Sequence, residues 1–258
     1  MYNEILVSIE NKIATIALNR PESSNPLTKD ASAEVTAAFE ECGANDAVST
    51  IVLTGLGKNF SAGGDIKRFK QLIETKEFLP VKNLEMALKM ALTIHECPKP
   101  TIAMVNGAAA GAGCSIALAC DFRFVTESSK FIMAFIKLGL SGDTAGMYFL
   151  QKLVGIGKTK EMMLTGVPVS GEEAVRIGMA TKLAEEGKLE EVTYGFAKLM
   201  ARSPLHAIKR QKELLREYFY PELSAYSAKE ALYMSECSQS KEFEEAVNAF
   251  LEKRPANF

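Results

Sequence analysis

Twice in this chain a short apolar, β-branched run opens into a glycine-rich loop that gives way to a helix. Ser49-Thr-Ile-Val-Leu-Thr54 leads into a loop from Gly55 to Gly64, and a helix starts near Asp65. Pro100-Thr-Ile-Ala-Met-Val-Asn106 leads into a loop from Gly107 to Gly113 and a helix over Cys114 to Ala119. A third strand, Phe122-Arg-Phe-Val-Thr126, is followed by the segment from Phe131 to Gly146 and a helix from about Ala145. Buried strands that alternate with helices pair in parallel through right-handed crossovers, so this order predicts an α/β core.

The rest of the chain fits around that core. Ile5, Val7 and Ile9 alternate, Asn11-Lys12 makes a turn, and Ile13 to Leu18 returns as the second strand of a hairpin. Arg20 to Pro26 reads as a loop, and Thr28 caps a helix to about Cys42, with Gly43 ending it. The last third reads as helices over Gly171 to Gly178, Leu189 to Ala201, Leu205 to Phe219 and Ala228 to Lys253, with a strand-like piece at Ala180 to Leu183. We divide the chain into a core of residues 1–195 and a C-terminal helical region of residues 196–258.

Bulk properties exclude several function classes. A net charge of -2 gives no general attraction to nucleic acid or to an anionic membrane. No apolar run is long enough to span a bilayer, and no basic segment precedes an apolar one at the N-terminus, so neither membrane insertion nor a signal peptide is expected. The five cysteines, 42, 97, 114, 120 and 237, contain no Cys-x-x-Cys pair, which argues for reduced thiols in a cytoplasm-like compartment and against a metal site. The only histidines are His95, expected at a helix end facing solvent, and His206; neither has a triad motif around it.

The first glycine loop ends Asn59-Phe-Ser-Ala-Gly-Gly-Asp-Ile-Lys67, and the second is Val105-Asn-Gly-Ala-Ala-Ala-Gly-Ala-Gly-Cys114. Small residues before a helix N-terminus let a ligand approach backbone N–H groups. One N–H from each loop would make a two-donor oxyanion hole; close helix–strand packing through small residues explains each loop equally well on its own.

Taken together and in this order, the motifs resemble the crotonase (enoyl-CoA hydratase/isomerase) superfamily. The resemblance runs from Leu18-Asn-Arg-Pro21 through Phe60-Ser-Ala-Gly-Gly-Asp-Ile66, Lys99-Pro100, Asn106-Gly107 and Gly111-Ala-Gly-Cys114. It continues through Ala119-Cys-Asp121, Leu164-Thr-Gly166 and Ala174 with Gly178, to the ending Ala249-Phe-Leu-Glu-Lys-Arg-Pro-Ala-Asn-Phe258. It implies a spiral of ββα units with a C-terminal helical trimerisation region, and a homotrimer or hexamer acting on an acyl-CoA. No metal or redox cofactor is implied, because CoA belongs to the substrate. By the same resemblance Gly64 and Ala112 supply the oxyanion-hole N–H groups. Ala112 stands where the family usually has glycine, so its methyl group crowds the acyl chain. Ala62, Gly63, Gly64, Asp65 and Ile66 would flank the CoA adenine and pantetheine arm, and Phe250 and Lys253 would approach CoA from the C-terminal helix across a subunit boundary.

Hydratases of the superfamily carry two glutamates; the matching positions here are Ser115 and Phe135. Neither can act as a carboxylate base. Asp143, in Gly139-Leu-Ser-Gly-Asp143, matches the single carboxylate of related isomerases, though the usual proline is missing. Phe135, Ile136 and Leu140 would wall the pocket and raise its base strength. The leading expectation is therefore Δ3-to-Δ2 enoyl-CoA isomerisation with Asp143 as acid and base. Hydration, a hydrolase or dehalogenase with Asp143 as nucleophile (the Asp143-Thr-Ala145 context resembles aryl-CoA dehalogenases), and a non-catalytic CoA- or RNA-binding homologue remain as alternatives. On residues alone, the N-cap of the following helix is the stronger reading of Asp143, and the family context reverses that order.

Overall fold

The computed structural model describes residues 2–258. Its strands are β1 (Ile5–Glu10), β2 (Ile13–Leu18), β3 (Thr50–Gly55), β4 (Thr101–Val105), β5 (Ala108–Ala110), β6 (Phe122–Val125), β7 (Lys130–Ile132), β8 (Val169–Ser170) and β9 (Lys182–Leu183). One sheet has the order β1-β2-β3-β4-β6-β9, and a smaller one the order β5-β7-β8. β1 and β2 form the expected antiparallel hairpin, turning through Asn11 and Lys12 at positive φ. Every later pairing in the large sheet is parallel.

The helices before the C-terminal region are α1 (Lys29–Ala44), α2 (Ile66–Thr75), α3 (Val81–Glu96), α4 (Ala112–Ala119), α5 (Gly146–Thr165) and α6 (Gly171–Arg176). They are followed by α7 (Leu189–Ala201), α8 (Leu205–Phe219), α9 (Leu223–Cys237) and α10 (Lys241–Glu252).

The alternation of side chains along the parallel strands builds two cores. Ile51 and Leu53 of β3, Ala103 and Val105 of β4 and Val125 of β6 point into the main core, shared with α1, α3, α4 and α5. Val52, Ile102, Met104 and Phe124, the intervening residues, point the other way and are covered by Leu189 and Ala197 of α7. A parallel sheet covered on both faces explains why β3 and β4 are mostly apolar and buried throughout. α7 runs unbroken through residues 195 and 196.

Three local expectations are corrected. Gly43 does not end α1: the helix continues to Ala44, with Asn45 as its C-cap. The second glycine loop is partly extended, because β5 pairs with β7. The stretch from Ala228 to Lys253 is two helices, since Ser240 accepts the Phe243 N–H and starts α10 afresh.

Candidate active site

β3 and β4 are adjacent and parallel, so the loops that leave their C-terminal ends emerge side by side. This is where open α/β sheets bind ligands. The two loops are stitched together by backbone bonds from Ser61 N–H to Ala108 O at 3.1 Å and from Ala110 N–H to Ser61 O at 2.9 Å. Gly63 makes the approach possible: at φ 83°, a Cβ there would strike Ala110 O and lie 3.2 Å from Ala112 N. Asn25 buttresses the first loop, its side-chain amide donating to Leu56 O and Asn59 O at 2.9 Å each. Thr28 and Asp65 are helix caps, as their positions predict.

The N–H groups of Gly64 and Ala112 donate to no acceptor among the described residues. Ala112 is the first residue of α4, where the helix leaves its own N–H groups unsatisfied. Both residues line one cavity of about 60 Å³, and Asp143 lines it too. The walls are largely apolar, with Phe69, Leu84, Met90 and Met234, and Lys29 and Arg68 add cationic groups. Asp65, the other carboxylate on the lining, is engaged with Lys67 N–H at 3.0 Å.

Asp143 is not a helix cap. α5 begins three residues later at Gly146, with Ala145 as N-cap and no side-chain cap bond. Thr144 and Ala145 both adopt left-handed backbone, at φ 57° and 54°. The Thr144 hydroxyl donates to Asp143 Oδ1 at 3.0 Å. Asp143 keeps partial contact with solvent through the cavity, but protein surrounds its carboxyl. Burial pushes its pKa up to about 6, and the Thr144 bond opposes this. A carboxylate so placed is ionised at neutral pH yet basic enough to accept a proton from carbon.

The model of the enoyl-CoA hydratase/isomerase family matches residues 8–258. The chain belongs to that family. Trans-2-decenoyl-[acyl-carrier-protein] isomerase of Streptococcus mutans is 30% identical over all of this chain and 98% of that protein. Crotonyl-CoA hydratase of Syntrophomonas wolfei is 33% identical, covering all of this chain and 98% of its own length. An enoyl-CoA hydratase crystal structure from Mycobacterium avium subsp. paratuberculosis superposes with a TM-score of 0.91 at 26% identity, covering 100% of this chain and 99% of that one.

The other residues expected in this enoyl-CoA hydratase/isomerase site fall in two groups. Ser115, Phe135 and Leu140 are buried behind the Asp143 loop, and none is on the cavity lining. Ser115 Oγ donates to Gly111 O at 3.3 Å and to Asp143 O at 3.4 Å, tying α4 to the loop. Phe135 packs under Gly111 and Gly142. Ala62 is exposed beside Gly63, and Ile66 starts α2. Phe250 is 59% exposed and Lys253 is the C-cap of α10; both stand off the lining of their own chain. α10 instead braces the cavity wall through Phe243, whose ring meets that of Phe69 edge-on at 5.7 Å. Among the described residues no helix is long and apolar enough to cross a membrane, and no cluster of three metal-binding side chains occurs.

Sequence reasoning missed Glu230. It is buried on α9 and accepts the Ala145 N–H at 2.7 Å. A signal for it existed: Leu223, Ser227, Ala231 and Met234 form the buried stripe of α9, and Glu230 is a charged residue within that stripe. His95 also differs from its solvent-facing expectation. It is at the end of α3 as predicted, but its ring is packed against Phe149 and Tyr220.

Proposed function

We propose that this protein is an enoyl-CoA isomerase that converts a Δ3-enoyl thioester to the Δ2 isomer. The observation that carries this reading is one carboxylate not engaged as a helix cap, Asp143, on a cavity that also holds two unpartnered N–H groups. The thioester oxygen binds between Gly64 and Ala112. Asp143 takes a proton from C2, and the electron pair spreads through the C3–C4 double bond into the carbonyl, giving a dienolate. The protonated Asp143 then returns that proton to C4, leaving the double bond between C2 and C3. The donors strengthen as charge develops on the oxygen; losing one such donor typically costs about 3–4 kcal/mol of transition-state stabilisation. No redox or metal step is needed, and CoA enters as part of the substrate.

The S. mutans relative named as an isomerase supports this reading. The S. wolfei relative named as a hydratase supports water addition as a second reading. Hydration wants a second free carboxylate on the water, whereas Asp65 is held as the cap of α2 and Glu230 is off the lining. Lys29 and Arg68 suit the CoA phosphates. We further propose a homotrimer or hexamer built on α8, which buries no residue of its own and exposes Leu214, Leu215, Tyr218 and Phe219. In that assembly Phe250 and Lys253 would reach CoA on a neighbouring copy.

Incubation with a 3-enoyl-CoA, followed by conjugated-thioester absorbance, tests the reaction. Turnover that falls about 10²–10⁴-fold in Asp143→Asn with CoA binding intact is the expected result. Full turnover in that variant, or hydration of a 2-enoyl-CoA without isomerisation, would overturn the proposal. A covalent ester on Asp143, seen by mass spectrometry, would mark it as a nucleophile instead.

A further inference from the structure

The Asp143 loop holds a backbone shape that its own residues do not favour. Thr144 and Ala145 are consecutive non-glycine residues in left-handed conformation, which side chains with a Cβ disfavour. Ala145 is fully buried, so its N–H must find an acceptor. The acceptor comes from a distant helix: Glu230 Oε2 takes this N–H at 2.7 Å, while the Tyr226 hydroxyl donates to Glu230 Oε1 at 2.9 Å. A Cβ built on Gly142 would stand 4.0 Å from the same Oε1, so the Glu230 carboxyl reaches both sides of Asp143.

We propose that Glu230, braced by Tyr226, is a positioning residue: by gripping the Ala145 N–H it holds the left-handed turn that presents the Asp143 carboxyl to the cavity. This rests on Asp143 being the acid and base. Glu230 itself is off the cavity lining and touches no substrate position.

The arrangement has a charge signature. Asp143 faces Glu230 from the loop and Tyr226 from α9; on α5, Tyr148 lies against Tyr226 with ring centroids 5.2 Å apart and has Lys152 over its ring. No cation acts on Glu230 directly, and burial followed by the Asp143 charge pushes it up to about 7, against the Ala145 and Tyr226 bonds. The Asp143 charge is therefore felt at Glu230, across the turn that Ala145 closes.

Three variants test the proposal. In Glu230→Ala, kcat on a 3-enoyl-CoA should fall about 10²-fold, the scale of a 1 Å misplacement, with KM changed only a few-fold. Ala145 amide hydrogen exchange should quicken at least about tenfold. Glu230→Gln keeps an oxygen for Ala145, so kcat and slow exchange should recover to within about fivefold, while the inflection near pH 7 in the Ala145 amide shift disappears. Tyr226→Phe should show a smaller loss of the same kind and serves if Glu230→Ala does not fold. Unchanged kcat and exchange in Glu230→Ala, or in Tyr226→Phe where it stands in, overturns the proposal, as does Glu230→Gln being as impaired as Glu230→Ala. Full turnover in Asp143→Asn would remove the isomerase reading separately, and the exchange and amide-shift results would still report on the grip.

Discussion

Ser115 and Gly146 lock α4 against α5. A methyl group on Gly146 would collide with Ser115 Oγ and lie 2.9 Å from Ser115 Cβ and 3.0 Å from Met133 Cε. Ser115 occupies the position at which the hydratase resemblance anticipates a glutamate. The space for one further methylene and a carboxylate does not exist there unless α5 moves. Ser115→Glu is therefore expected to give no water addition to 2-enoyl-CoA and to destabilise the fold by about 3 kcal/mol or more, from overpacking and a buried charge. Gly146→Ala should lose about 1–3 kcal/mol by overpacking alone, and Ser115→Gly in the same chain should restore part of it. Urea denaturation of the single and double variants measures both effects.

Asp143 should make the protein less stable at neutral pH than it would otherwise be. Its folded pKa of about 6 is above the ordinary carboxylate value. The folded state thus binds more protons than the unfolded state between the two values, and stability falls as pH rises through that window. Above it the penalty is constant. Asp143→Asn is expected to raise stability at pH 8 by on the order of 2 kcal/mol, after allowance for its contact with the cavity solvent, and to give little gain at pH 4. Thermal melts of both proteins at the two pH values check the sign.

The same ionisation should appear in the rate. A base that must be ionised makes kcat/KM for isomerisation fall about tenfold per pH unit below its free-enzyme pKa, here about 6. A profile flat to pH 5 would mean that another group carries the proton.

Residue patterns made much of the fold legible, because β3 and β4 are short runs of mostly apolar, β-branched residues with glycine loops at their C-terminal ends. α7 and α8 were readable to the residue, from their apolar spacing. The break at Ser238–Ser240 was hidden, because the apolar spacing of α9 continues closely enough into α10 to look like one helix. The family resemblance points to Gly64, Ala112 and Asp143, and the three share a cavity. Glu230 was not legible, because its role comes from a long-range contact with Ala145 that has no local motif. Nor could spacing reveal that Ser115, Phe135 and Leu140 would pack behind the loop: the side on which a buried residue lies depends on helix orientation.

His95 gives a second pH effect, opposite in sign to that of Asp143. Burial, with help from Lys212, lowers its pKa to about 4, and its Nε2 is buried without a partner. The unfolded chain therefore takes up this proton first, and stability is lost as pH falls from the ordinary histidine value toward 4. His95→Phe keeps an aromatic ring between Phe149 and Tyr220 and removes the titration. It should flatten the loss between pH 6.5 and 4 by about 2 kcal/mol in urea titrations, leaving the pH 8 value nearly unchanged.

Ala112→Pro isolates one of the two oxyanion donors. Proline removes the N–H, and the first position of a helix is where a helix tolerates it, because that N–H has no helical acceptor. Proline also constrains the residue before it, but here that residue is Gly111 at φ 51° and ψ −125°. This is near the mirror image of polyproline geometry, which glycine adopts without a Cβ clash. The substitution should thus leave Tm within a few degrees while kcat/KM on a 3-enoyl-CoA drops about 10²–10³-fold, the cost of one donor. CoA affinity should change little, since the thioester oxygen gains its strongest hydrogen bonds only as it becomes an enolate. Wild-type turnover in a folded Ala112→Pro protein would mean that the Ala112 N–H does not hold the reacting oxygen, and Gly64 would need a different partner.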